Sequence, residues 1–289
     1  MKKIIIPLFL FVFFIVVSAS LPCQNGAVSD LLPSSSLTLR YEGEELLFTY
    51  DDLTSLEAYA GNGGRLKVTG EVTGPFSYTG VRLLTFINQF DAPPASYKAV
   101  VVSEDGLVQT FTAAETAGDV MVYTTQGEEN GVGGVTMMLA YKEEGATDFS
   151  GGPFRIAWVN TGQPVTDAFL WSKYVCSIDF FDDSSDTILP SLSLEKPVNG
   201  FYIFNRRIFP FITPVIFGGI TVEVKASDAS GIAQVLFVVD EELKAQDANA
   251  PYQWEWDEHV VGYHTLTVVT YDAAGNIQTQ QQDLWIFNP

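Results

Sequence analysis

The sequence predicts two folded units in series, a mixed α+β unit over residues 37–181 and an all-β sandwich over residues 201–289. Three observations carry this reading. First, Gly152-Pro153-Phe154-Arg155-Ile156-Ala157-Trp158-Val159 and Phe169-Leu170-Trp171-Ser172-Lys173-Tyr174-Val175-Cys176-Ser177-Ile178-Asp179-Phe180 alternate apolar and polar residues over strand lengths. They are expected to be the closing strand pair of the first unit, joined through Gly162-Gln163-Pro164. Second, the composition turns charged and proline-bearing over residues 182–200, with Asp182, Asp183, Asp186, Pro190 and Pro197, which marks a linker. Third, about seven short strands with regularly spaced turn signals follow from Phe201, the pattern of a β-sandwich.

The chain has 289 residues, 47% hydrophobic and 13% aromatic, which is ample for packed cores. Its formal net charge is −20, and the acidic excess is spread along it. Residues 31–190 hold 8 Lys/Arg against 22 Asp/Glu, and residues 191–289 hold 5 against 12. Affinity for nucleic acid rests on Lys and Arg neutralising phosphates, so both units argue against that class of partner. The charge suits a soluble exported protein. Lys2 and Lys3, an apolar run over residues 4–17 and then Ser18-Ala19-Ser20 follow the order of a secretory signal, expected over residues 1–20. The expected location is therefore secreted or extracytoplasmic at the cell surface, with an uncleaved N-terminal anchor as the one route to a membrane. Residues 21–36, with Pro33 and Ser34-Ser35-Ser36, read as a linker. Of the two cysteines, Cys176 falls in phase with Tyr174 and Ile178 and is expected in the core. An oxidising compartment permits a bridge to Cys23.

Along the first unit, Leu37, Leu39 and Tyr41 alternate ahead of a turn at Glu42-Gly43-Glu44-Glu45. Residues 51–57 read as a short helix with Asp51 and Asp52 in its first turn, ended by the glycines at 61–64. A strand over 65–71 leads through Gly74-Pro75 to a helix over 81–90, whose apolar side is Leu83, Leu84, Phe86 and Ile87. Strands at 97–103 and 107–111 flank Asp105-Gly106, a strong hairpin signal. Strands at 120–124 and 135–141 bracket a glycine-rich interval at 127–134, which lacks the Gly-Lys-Ser/Thr ending of a phosphate loop and reads as a flexible loop. Asp182, Asp183 and Asp186 suit a solvated linker better than a calcium loop. No Gly-x-Ser-x-Gly, His-Glu-x-x-His or Cys-x-x-Cys pattern occurs.

The words Ala226-Ser227-Asp228-Ala229-Ser230-Gly231-Ile232, Ala250-Pro251-Tyr252-Gln253-Trp254, Gly262-Tyr263-His264-Thr265-Leu266 and Tyr271-Asp272-Ala273-Ala274-Gly275-Asn276 span the second unit. It resembles the bacterial and archaeal immunoglobulin-like domains of surface proteins, which implies a spacer or adhesion role. Asp228 and Asp272 are turn formers that could also meet around calcium. Tyr252, Trp254 and Trp256 are candidates for a carbohydrate or matrix ligand.

In the first unit, Tyr78-Thr79-Gly80-Val81-Arg82-Leu83-Leu84, Ser103-Glu104-Asp105-Gly106, Gly152-Pro153-Phe154-Arg155 and Trp171-Ser172-Lys173-Tyr174-Val175 keep an order that is similar to the molybdopterin-binding domain of sulfite-oxidase-type oxidoreductases. The resemblance covers about residues 40–181 and implies a mixed α+β fold. It also implies a pocket around Arg155, Asp105 and Tyr78, and a cysteine ligand to molybdenum just before the Tyr-x-Gly-Val word. Arg65-Leu66-Lys67-Val68-Thr69-Gly70-Glu71-Val72 holds no cysteine, and the unit has no histidine. A thiolate suits a soft metal in a way that Thr69 or Gly70 does not. The expectation is a non-catalytic scaffold without cofactor or metal in an exported binding or structural protein with a surface or small-molecule ligand. The alternative is a molybdopterin-dependent oxidoreductase holding its cofactor without the cysteine. A donor-lined pocket around the three residues speaks for a ligand, and an apolar filling for a retired site.

Overall fold

The computed structural model describes residues 36–94, 96–183 and 186–289. The expected signal, nearly all of the first linker, and Cys23 with its permitted bridge to Cys176 lie outside the described residues. Among the described residues no helix is long and apolar enough to cross a membrane.

The first unit is two sheets packed face to face. One holds five strands in the order Glu44–Thr49, Ser36–Tyr41, Val175–Asp182, Tyr97–Ser103, Val108–Thr112. The other holds seven, in the order Arg155–Val159, Thr136–Glu143, Val72–Arg82, Ala58–Leu66, Val165–Asp167, Met121–Tyr123, Glu129–Val132. Between them lies a core that includes Leu37, Leu39, Val101 and Phe180 from the first sheet and Tyr78, Met137, Leu139 and Trp158 from the second.

This corrects the mixed α+β expectation, because the α-helices of the unit are single turns. The helix read over 51–57 forms over Tyr50–Ser55: Thr49 Oγ1 accepts from the Asp52 backbone at 3.3 Å, and Asp52 Oδ2 accepts from the Thr49 backbone at 2.9 Å, a reciprocal cap. The helix expected over 81–90 shrinks to Leu83–Ile87. Val81 and Arg82 still belong to the strand Val72–Arg82, and Leu83, Phe86 and Ile87 bury one turn while Leu84 points out. Ala113–Thr116 is a third such turn.

The glycines at 61–64 do not end an element. They sit inside the strand Ala58–Leu66, where a Cβ on Gly63 would collide with the Trp158 carbonyl oxygen and come within 2.9 Å of Trp171 Cη2. The glycine-rich interval after 127 likewise contains a paired edge strand, Glu129–Val132. The expected closing pair is also divided: Arg155–Val159 and Val175–Asp182 lie in different sheets, and Ala168–Leu170 is a 3₁₀ turn rather than strand. Val165–Asp167 carries the chain across by pairing parallel to Ala58–Leu66.

The second unit is a sandwich of three strands, Ser191–Lys196, Ile220–Ser227, Tyr252–Trp256, on seven: Arg206–Phe209, Phe201–Ile203, Val215–Phe217, Ile277–Asn288, Val260–Asp272, Ile232–Val239, Glu242–Asp247. Ser191–Lys196, expected as linker, pairs with Ile220–Ser227. Its core gathers Val222, Val235, Phe237, Trp256, Leu266 and Ile286.

The five-stranded sheet packs on the seven-stranded sheet of the second unit, so the protein is four layers deep. Val100, Val102 and Cys176 from one side meet Leu236, Val238, Val269 and Tyr271 from the other. Strands Tyr97–Ser103 and Ile232–Val239 thus bury both faces, which is why residues 99–102 and 235–239 are unbroken apolar runs rather than alternating. Hydrogen bonds cross the seam from Lys98 Nζ to the Ala274 carbonyl at 2.9 Å, from Thr110 Oγ1 to the Gly275 carbonyl at 2.8 Å, and from the Leu243 backbone to the Glu104 carbonyl at 2.7 Å. At its buried end, Asp179 accepts from Arg40 Nη1 at 3.1 Å and from the Tyr271 hydroxyl at 2.7 Å. Burial drives the Tyr271 hydroxyl well above the usual tyrosine pKa, and Asp179 adds to the rise.

Tyr271→Phe is expected to destabilise the protein by about 2 kcal/mol, because a hydrogen bond to a charged group is lost while Asp179 stays buried. In the parent, Tyr271 contributes its full stabilisation below the ordinary tyrosine pKa of about 10. Above that pH the unfolded chain ionises and the folded one does not, so stability falls as pH rises. Urea unfolding at pH 7 and across the alkaline range checks both, and the variant should show the shallower alkaline decline.

Candidate functional site

A recess of about 360 Å³ opens on the first unit and is lined by Arg65, Lys67, Thr73, Arg155, Trp171 and Lys173. Four cations surround one cavity in a chain of net charge −20. Arg65 closes the strand Ala58–Leu66, Lys67 follows it by one residue, and Arg155 opens the strand Arg155–Val159. Trp171 and Lys173 come just after the 3₁₀ turn.

Trp171 is the keystone of the recess. Its indole donates to Thr166 Oγ1 at 2.8 Å, and the guanidiniums of Arg65 and Arg155 lie 5.5 and 5.9 Å from its ring centroid. Arg155 is 1% exposed. Its Nη1 donates to Glu143 Oε2 at 3.1 Å and to the Ser150 carbonyl at 2.9 Å, but its Nε has no partner. Burial, followed by the charge of Arg65, pulls the Arg155 guanidinium below its ordinary pKa, and Tyr78 and Glu143 oppose the shift. Arg65 and Lys173 have no carboxylate within salt-bridge distance among the described residues. Lys67 is paired with Glu71 at 3.0 Å and Arg155 with Glu143, so the positive charge left over in the recess is that of Arg65 and Lys173.

Two of the three expected pocket residues converge here. Tyr78 packs on Trp171 with ring centroids 5.4 Å apart. Its hydroxyl is buried without a well-formed hydrogen bond, although Glu143 is near enough to act, after burial itself, in holding its proton on. Asp105 does not join them. It stands in the turn after Tyr97–Ser103, accepts from the Leu107 backbone at 3.2 Å and reaches the recess only through the field of Lys173. Burial raises its carboxyl above the usual carboxylate range. Gly106 beside it has φ +80°, and a Cβ there would meet Val238 across the seam. Sequence reasoning passed over Arg65, Lys67 and Lys173. Their signal was available in part, since Lys173 sits inside the Trp-Ser-Lys-Tyr word and Arg65 and Lys67 are two apart near a strand end.

The donor set suits a phosphate or another oxyanion, which is also what the phosphate of a pterin cofactor would need. It does not suit molybdenum. Cys176, the one cysteine among the described residues, lies in the seam and donates to the Val102 carbonyl at 3.5 Å, away from the recess lining. The recess itself offers no soft ligand.

Asp228 and Asp272 do meet, joined by Asp186, with carboxylate oxygens within 4.8 Å of one another. Most of those oxygens are already engaged, Asp186 Oδ1 by the Ile188 backbone at 2.9 Å. Asp272 accepts from the Ala274 and Asn276 backbones at 2.8 and 2.9 Å and from Asn276 Nδ2 at 2.9 Å, and Asp228 Oδ1 accepts from the Ser230 backbone and hydroxyl. Three carboxylates fall short of the six to eight oxygens that calcium takes, and their turn-forming role accounts for them.

The candidate aromatic trio faces the wrong way for a carbohydrate. Trp256 is 1% exposed, Tyr252 is buried, and Trp254 stacks on Trp256 at 5.3 Å and packs on Phe237. A row of rings lies on the other sheet, where Phe209, Phe201, Phe217, Phe287 and Trp285 follow one another with centroids 4.9 to 6.3 Å apart, stacked except for the tilted Phe201–Phe217 pair. Rings stacked against one another present edges rather than faces, so this row is not a stacking platform for sugars.

The strand order and turns of the second unit agree with a match at the level of sequence. Residues 190–268 match the bacterial Ig domain family. The match starts at the strand Ser191–Lys196, so the Ig-like domain takes in most of the stretch expected as linker. Among solved structures, the chain is similar to the fibronectin(III)-like modules of Clostridium thermocellum CbhA, at 24% identity and TM-score 0.26, over 34% of this chain and 97% of that one. It is also similar to the sulfane dehydrogenase SoxCD from Paracoccus pantotrophus, at 14% identity and TM-score 0.38, over 88% of this chain and 71% of that one. No curated protein sequence matches the chain.

Asp272→Ala is expected to cost about 2–3 kcal/mol, since three donors in a buried turn lose their acceptor together. Thermal unfolding of the variant measures this, and added calcium should not restore the parent value.

Proposed function

We propose that the protein is an exported, surface-associated binding protein whose first unit takes a small oxyanion in the Arg65–Lys173 recess and whose Ig-like domain serves as a spacer or adhesion module. The observation that carries this reading is the clustering of Arg65, Lys67, Arg155 and Lys173 around one cavity of an otherwise acidic chain. Glu71 and Glu143 offset Lys67 and Arg155, which leaves Arg65 and Lys173 without a carboxylate partner and free to attract an anion. The buried and unpartnered Arg155 Nε is a further donor left without an acceptor. The signal-like leader and the match to the bacterial Ig domain, a module typical of surface proteins, support export. The recess is lined by donors where a retired pocket would be filled with apolar side chains, so on this reading the molybdopterin-type scaffold has lost its metal chemistry and kept a ligand.

Isothermal titration of the full chain with inorganic sulfate and phosphate tests the reading. Binding is expected to weaken as sodium chloride is raised, because the attraction is between partly exposed charges. Replacing Arg65 by Met should weaken it about tenfold, the effect of removing one charge-assisted contact. No heat with either anion at millimolar concentration, or an unchanged affinity in R65M, would sink the proposal.

The donor lining also favours a second reading, a molybdopterin-dependent oxidoreductase that holds its cofactor by the phosphate and without a cysteine. Elemental analysis of the protein from its own host decides between them. Stoichiometric molybdenum would replace the first reading, and anion binding without molybdenum would leave it standing.

A further inference from the structure

A larger cleft, about 560 Å³, lies on the opposite side of the five-stranded sheet, where the two units meet. One wall is the turn between Ser36–Tyr41 and Glu44–Thr49, and the other comes from Ile232–Val239 and Glu242–Asp247 of the Ig-like domain. The cleft differs from the oxyanion recess in charge. Glu42, Glu44, Glu45, Asp179, Asp182 and Asp247 line it against a single cation, Arg40. That cation is spent, because Arg40 is paired with Asp179 at 3.1 Å and with Glu45 at 2.9 Å. The cleft therefore carries net negative charge with low-dielectric walls that focus it.

A second observation turns the acidic lining into a binding site. Gln234 lines the cleft, is 7% exposed, and its side-chain carbonyl oxygen has no hydrogen-bond partner. Gln246 lines it too, and its carbonyl oxygen is likewise buried and unpartnered. A buried amide without a partner is costly, typically by about 1–3 kcal/mol, and two in one cavity mark a place that a ligand completes. Amides and carboxylates together ask for a ligand that donates hydrogen bonds and carries positive charge. Tyr41, Phe181, Ala233 and Ala273 add an apolar strip to the wall, which suits a hydrocarbon stem behind the charged head.

We propose that this cleft binds an alkylammonium group. Two sources share that chemistry, a free di- or polyamine and the side chain of a lysine presented by a peptide. The site is independent of the oxyanion recess, so either can fail without the other.

Titration calorimetry of the full chain with 1,4-diaminobutane, spermidine and N-acetyl-lysine-N-methylamide tests it, with N-acetyl-norleucine-N-methylamide as the uncharged counterpart. The amines are expected to bind with one-to-one stoichiometry and at least about tenfold more tightly than the norleucine amide. Tighter binding of the free amines assigns the site to polyamines, and tighter binding of the lysine amide assigns it to a peptide. Gln234→Leu should leave the melting temperature unchanged or raised, since the lost amide oxygen had no partner, while weakening the amines several-fold. The double variant E42Q/E44Q changes only surface charge and should weaken them about fivefold through lost attraction. Equal binding of the norleucine amide, no saturation by any amine, or unchanged affinity in both variants would overturn the proposal. The last of these outcomes would place amine binding elsewhere on the acidic surface.

Discussion

Asp179 is the group on which the joining of the two units depends. It lies on the strand Val175–Asp182, at the centre of the five-stranded sheet, and is buried. A lone carboxylate there would be too costly to keep ionised, so the fold brings it a cation from Arg40 on the neighbouring strand and a hydroxyl from Tyr271 of the Ig-like domain. Burial raises the Asp179 carboxyl, and both partners act against that rise. The three groups come from positions 40, 179 and 271, so the interaction can be completed only when both units are folded and in contact. Val100, Val102 and Cys176 pack against Leu236, Val238 and Val269 around it and exclude water.

The same sheet separates two fields of opposite sign. On one side the recess gathers Arg65, Lys67, Arg155 and Lys173, and on the other the cleft gathers carboxylates around Arg40. A net charge of −20 conceals this arrangement, because a sum over the sequence carries no direction. Lys173, exposed at the mouth of the recess, and Glu44, exposed at the edge of the cleft, show how short stretches of a mixed-sign surface acquire different chemistry from the geometry beneath them.

What the sequence disclosed follows from which forces are local. The Thr49–Asp52 cap, the Asp105-Gly106 turn and the strand Tyr97–Ser103 were legible because each is set by neighbours in the chain. The partner of a strand is not local. Alternation in 152–159 and 169–180 revealed a period, but the pairing across sheets depends on residues far away. Gly61, Gly63 and Gly64 looked like a terminator because glycine does end helices. They are in fact room inside a strand: Gly61 lets Val159 and Asn160 approach, Gly63 lets in Trp158 and Trp171, and Gly64 lets in Val165. Leu83, Leu84, Phe86 and Ile87 gave a helical pattern that one turn satisfies. The apolar runs Val100-Val101-Val102 and Val235-Leu236-Phe237-Val238-Val239 did carry the sign of burial on both faces, and a reading of independent units passed over it. At the site, Arg155 and Tyr78 were within reach of motif reasoning, while Arg65 and Lys67 were brought there by a crossing that only the fold reveals.

Strands that serve two cores at once remove the boundary at which one half could open alone. Val101 belongs to the first core and Val100 and Val102 to the seam, while Phe237 belongs to the sandwich core and Leu236 and Val238 to the seam. Melting either unit would strip one face from a central strand of the other. The shared strands thus couple the two units into one cooperative block, and a ligand held in either cavity would stabilise both units together.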